Sequence, residues 1–130
     1  TSKRTALAAS DVYQCLNIPA ESVILHAGME VTTALTGTSS DTAFDLGITG
    51  GDVDNFVDGF DADGASAGDY APTAAAYAPV IVGAADTLDI LVQAQTGTTL
   101  TGKIRVFATL MDISDAGDMA ANEVDRDTLA

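Results

Sequence analysis

The sequence has no tryptophan, one cysteine, one histidine, and no lysine or arginine between Arg4 and Lys103. Each scarcity removes a class of function. A lone Cys15 rules out an intramolecular disulfide, and with His26 as its only companion it cannot build a four-ligand Cys/His zinc site. Cys15 reads instead as a small buried strand residue. Any Ser-His-Asp or Cys-His arrangement would have to pass through His26, which on a strand between Leu25 and Ala27 reads as a packed or interfacial side chain. No catalytic role and no cofactor are expected. Without tryptophan, three tyrosines supply a poor aromatic platform for sugars. No glycine-rich loop opens a helix to cradle a phosphate. No apolar run approaches the length of a membrane span, and the start "TSKRTALAAS" lacks the apolar core of a signal peptide. The chain is expected to be made in the cytoplasm and to be soluble.

What is abundant is acid. Nineteen Asp and Glu against five Lys and Arg give a formal charge of −14. Such a surface repels a phosphate backbone and an anionic bilayer, which argues against nucleic acid and membrane as partners. It also resists stray association at high local concentration. Apolar residues still make up 47% of the chain, more than a disordered sequence carries. The length of 130 residues fits one domain spanning 1–130, with a short N-terminal arm (1–10) and an extended C-terminal tail (114–130).

Period-two alternation is common and helical periodicity is scarce. In "VYQCLNI", Val12, Leu16 and Ile18 share one face and Tyr13, Cys15 and Asn17 the other, with Pro19 ending the strand. "ESVILHAGMEVTTALT" reads as one long strand, with Val23, Leu25, Ala27, Met29 and Val31 on one side and a bulge at Gly28. "GTSSD" then turns the chain into "TAFDLGIT", a hairpin partner. "AYAPVIV" gives a short strand around Tyr77 to Val82. "TLDILVQAQ" places Leu88, Ile90, Val92 and Ala94 on one face. "TGTTLTG" leads on into "KIRVFATLMDI", where Ile104, Val106, Ala108 and Leu110 align, and these two strands form a second hairpin. Six or seven strands and no long amphipathic helix make an all-β fold: an antiparallel β-sandwich or barrel, with a jelly-roll-like sandwich leading.

One loop invites a metal reading. "DLGITGGDVDNFVDGFDADG" is dense in aspartate, yet neither Gly59 nor Gly64 serves as the turn glycine of an EF-hand with acids at the required positions. A non-standard cation site on Asp52, Asp54, Asp58, Asp61 or Asp63 is the weaker reading. The stronger one is structural: Asp52 caps a single helical turn closed by Gly59, while Val53, Phe56 and Val57 plug the loop onto the sheet edge and Asp54 and Asp58 face water.

The outer strand faces carry Leu91, Phe107 and Met111 among polar residues, which marks a subunit interface and favours a homo-oligomer. Lys3 and Arg4 form an isolated basic start that reads either as a frayed terminus or as an arm that docks on a partner's acidic surface. Val124 and Leu129 in the polar tail could latch onto a neighbour.

Taken together, "SDVYQCLNIPAESVILHAGMEV", "FDLGITGGDVDNFVDGFDADGASAGDY", "ADTLDILV", "KIRVFATLMDIS" and "EVDRDTLA" resemble small virion structural proteins of tailed bacteriophages, particularly marine and cyanobacterial ones. The resemblance covers nearly the whole chain. It implies a β-sandwich component of the phage particle, a capsid decoration or cement protein on the capsid surface, or part of a head fibre. The implied partners are the major capsid protein and further copies of the chain; the strand pattern places the contact between copies, as trimers or dimers with trimers favoured, on Leu91, Phe107 and Met111, and the N-terminal arm with Lys3 and Arg4 is expected to grip the lattice. The alternative is a head-fibre or tail-associated adhesion module that binds calcium or glycan. The resemblance carries over no catalytic residue and no metal ligand.

Overall fold

A computed structural model describes residues 6–72 and 79–114 and is built from antiparallel strands, with no helix among those residues. Eight strands follow in order: β1 (Val12–Ile18), β2 (Ser22–Gly37), β3 (Asp41–Ile48), β4 (Val57–Asp61), β5 (Tyr70–Ala71), β6 (Val80–Val82), β7 (Asp86–Thr96) and β8 (Thr99–Asp112). One sheet has the order β1-β7-β3-β4. In the other, β2 is flanked by β8 along one side and by β5 and β6 along the opposite side.

Both expected hairpins are corrected. β2 does not pair with β3, nor β7 with β8; β2 pairs with β8, and β3 with β7. The chain forms one long two-stranded ribbon that bends once. On one side of the bend the register runs from Ser22↔Asp112 to Gly37↔Thr99, and on the other from Asp41↔Thr96 to Ile48↔Leu88. The ladder survives the bend, since the Thr38 N–H donates to the Thr98 carbonyl at 2.8 Å and the Ser40 N–H to the Thr96 carbonyl at 3.1 Å. Strands that switch sheets at such a corner leave the same Gly and Thr signature as a hairpin turn, so local sequence cannot separate the two. This folded ribbon gives the sandwich its jelly-roll-like character.

Two glycines make the corner possible. Gly37 (φ +146°) and Gly97 (φ +81°) adopt backbone that L side chains rarely enter. A Cβ on Gly37 would strike the Thr98 carbonyl oxygen, and one on Gly97 would strike the Thr38 carbonyl oxygen. The two arms therefore touch backbone to backbone.

The core lies between the sheets. Phe44, Leu46, Ile48, Leu88, Ile90 and Val92 face it from one side, and Ile24, Ala27, Met29 and Val82 from the other. The alternation of β7 is as the sequence requires. In β2 the bulge falls at Leu25, where Ile24↔Leu110 is followed by His26↔Thr109. The extra residue turns Leu25 outward and Ile24 inward, the reverse of the expected faces, and the register runs unbroken through Gly28. β1 is bulged at Cys15, so Tyr13, Leu16 and Ile18 turn toward the core and Val12 is exposed. Cys15 itself is exposed and not a buried strand residue. Its thiol donates to the Tyr13 carbonyl at 3.2 Å, and partial burial raises its pKa.

Gly64 also has positive φ (+78°), but a Cβ added there would have no neighbour within 4 Å. Gly64→Ala should cost only the left-handed backbone penalty, about 1 kcal/mol, while Gly97→Ala adds the collision at the corner and should cost about 2 kcal/mol more. Urea unfolding of the two variants checks this; equal losses would show that the close approach carries no energy.

Candidate functional site

The acidic loop between β3 and β4 forms no helical turn. The Asp52 side chain is not an N-cap; its backbone carbonyl accepts the Ile48 N–H at 3.0 Å, and the Phe56 N–H donates to the Leu46 carbonyl at 2.9 Å. The loop thus runs along the open edge of β3 as an irregular continuation of the sheet. Its plug is partly as expected. Phe56 and Val57 are buried, but Val53 is 43% exposed and takes no share. Gly47 explains the close fit, because a side chain there would meet the Asp52 and Val53 backbone.

The aspartates fall into separate arrangements. Asp52 and Asp54 face each other at the surface, and the hydrogen bond between their carboxyls raises the Asp54 pKa. Asp61 accepts the Asp63 N–H at 3.0 Å, while Asp63 accepts the Ser39 hydroxyl at 2.9 Å. Asp58 accepts the Gln93 side-chain amide at 3.2 Å. Among the described residues no three His, Cys, Asp or Glu side chains converge as cation ligands.

Two aspartates are buried on the outer face of the β1-β7-β3-β4 sheet. Asp45 accepts the Gly59 N–H at 2.8 Å, and desolvation raises its pKa despite that bond. Asp89 is 4% exposed, and neither carboxylate oxygen closes a hydrogen bond among the described residues. Burial pushes its pKa up first, the nearby Thr87 hydroxyl offsets part of this, and the Asp86 charge adds to the rise.

The three residues expected to form one oligomer face do not share a face. Leu91 pairs with Val12 and Asp45 on the outer side of one sheet. Phe107 and Met111 lie on β8, on the outer side of the other. Phe107 covers Gly28, where an added Cβ would stand 2.7 Å from the ring, and stacks on His26 at 5.8 Å and 16°. The apolar surface around them is larger than alternation implies. Register sets Val23 between Met111 (48% exposed) and Ile81 (71% exposed), with the bulged Leu25 also exposed and Tyr70 (65% exposed) opposite Glu30. A bulge at Gly28 would leave Leu25 inward; one three residues earlier turns it out. Ile81 sits in a strand too short to show alternation. Lys3, Arg4, Val124 and Leu129 lie outside the described residues.

On the flank where β1 and β8 run along the two sheets, the sandwich is open. A groove of about 420 Å³ enters there, lined by Leu7, Tyr13, Leu35, Phe44, Ile90 and Ile104 among others. Above it, β8 carries Lys103 and Arg105, both exposed. Arg105 reaches Glu30 at 3.5 Å.

No protein-family model matches the sequence, and no curated protein matches it. A search of solved structures finds similarity to a chain in the capsid of Ralstonia phage GP4, with a TM-score of 0.59 and 20% identity over 82% of this chain and 76% of that one. At that identity the likeness is one of fold.

Phe56→Ala should cost about 3 kcal/mol, the loss of a buried aromatic, and Val53→Ala close to nothing; thermal unfolding of both checks the plug. For Asp89 the sign follows from its raised folded-state pKa. The native state favours the protonated acid, so this residue's contribution is greatest below the unfolded pKa of about 4 and is lost as pH rises through the folded value. Asp89→Asn should therefore stabilise the protein at pH 7, with the gain shrinking toward pH 4. A gain that does not change with pH would overturn the assignment.

Proposed function

We propose that this chain is a virion structural protein of a tailed phage: a capsid decoration or cement protein that binds the outer capsid lattice as a homo-oligomer and stabilises the shell. The observation that carries the reading is the similarity of its fold, over most of its length, to a chain of a phage capsid. The sequence resemblance to small virion proteins points the same way from independent features.

The physical properties suit the role. A protein that coats a shell in many copies must stay apart from its own kind in solution, and a charge of −14 supplies that repulsion. It must also offer surfaces for lattice and neighbour. The Phe107 and Met111 side, enlarged by Ile81 and Leu25, is the contact between copies in this reading, with trimers favoured. Leu91, on the opposite face, belongs to a different contact. Lys3 and Arg4 grip the acidic surface of the major capsid protein. Binding the assembled lattice more tightly than free subunits stabilises the shell by mass action.

Purified protein mixed with shells that lack it is expected to bind saturably at a fixed copy ratio and to raise the shell's melting temperature. Absence of binding would overturn the reading. Deleting residues 1–8 should lower occupancy; unchanged occupancy would refute the role of the basic arm alone.

A further inference from the structure

We propose that the free edge of β8 is a docking site for an extended segment of a partner protein whose residues alternate between acidic and apolar. The segment joins the sheet as an added strand.

Three observations meet at this edge. β8 runs for 14 residues and pairs along its length with β2 alone, so among the described residues its outer N–H and C=O groups face no strand. A long unpaired edge is a template for strand addition. Beneath it lies the apolar groove, into which Ile104 projects beside Leu7, Tyr13, Leu35, Phe44 and Ile90. Beyond it, Lys103 and Arg105 stand two residues apart on the outer side. They are the only Lys or Arg among the described residues, in a chain with 19 acids. Among the described residues Lys103 has no carboxylate within ion-pair distance, and Arg105 has only Glu30.

These features specify the occupant. Directly opposed residues of an antiparallel pair share a face. A strand laid along β8 would set side chains opposite Lys103 and Arg105 on the outer side and one opposite Ile104 over the groove. The complementary pattern is acid, apolar, acid. The two cations also select against alternatives, since a lysine-bearing strand would meet like charge at both positions. The same edge thus disfavours cationic strands and favours acidic ones.

The inference deepens the reading of a capsid-binding protein by naming the chemistry of the attached segment, and it rests on that reading only for the segment's source. Its test needs no shell. The probe is a fluorescent synthetic peptide, Glu-Val-Asp-Val-Glu-Ile-Asp, titrated against the full chain, with Lys-Val-Lys-Val-Lys-Ile-Lys as its counterpart. The acidic peptide is expected to bind saturably and to slow hydrogen exchange across 99–112. Lys103→Glu combined with Arg105→Glu should weaken it about ten-fold or more, as two opposed ion pairs become repulsions. These exposed side chains can be reversed without touching the core, and the variant's melting temperature confirms that it folds. No binding of the acidic peptide, equal protection of β8 by the lysine peptide, or binding without protection of β8 would each overturn the proposal. If the peptide protects β8 but shells are not bound, the edge site stands and the capsid reading fails.

Discussion

Everything else in the sandwich depends on the backbone contact at its corner. Two arms, β2–β3 and β7–β8, cross from one sheet to the other while remaining hydrogen-bonded to each other, and Gly37 and Gly97 let them touch there. Because the ladder does not break, the register of one sheet fixes that of the other. Phe44, Leu46 and Ile48 can then oppose Ile24, Ala27 and Met29 across a shared core without an intramolecular disulfide to set the spacing.

Much of the fold is legible in the sequence, and what is not has a common cause. The strands of the ribbon stand out because their alternation reflects one buried face, as Leu88, Ile90 and Val92 illustrate. Which strand each pairs with is a non-local matter. A glycine that turns a hairpin and one that lets two arms collide carry the same letter, so "TGTT" reads as the first and acts as the second. Bulges defeat the pattern in a related way. One extra residue at Leu25 and another at Cys15 reverse the faces that precede them, and nothing local marks either position. The loop plug is half readable: Phe56 is too large and apolar to leave in water, whereas Val53, at a similar place in the pattern, is simply outside. The single oligomer face fails because alternation alone groups Leu91 with Phe107 and Met111, and alternation does not say which sheet a strand belongs to.

Charge is distributed less evenly than a net value suggests. Among the described residues most aspartates are at least partly exposed at the surface. Asp45 and Asp89 are instead drawn into the outer layer of one sheet, where each raises the cost of its own ionisation. The described positive charge is confined to a single strand at the opposite sheet's edge. Acid that repels almost everywhere and base that attracts at one edge together leave few productive ways for another protein to approach.

The folded ribbon also governs the order in which the molecule can form. Ser22 pairs with Asp112, roughly 90 residues further along the chain, and synthesis at about 5–20 residues per second separates their emergence by several seconds. For that interval β2, sixteen residues long and carrying Val23, Ile24, Leu25, Met29 and Val31, exists without its principal partner. Such non-local pairing slows folding and exposes unsatisfied strands to neighbouring nascent chains. The acidic charge of the intervening segments then protects the polypeptide before it is a protein, holding unfinished copies apart until β8 arrives.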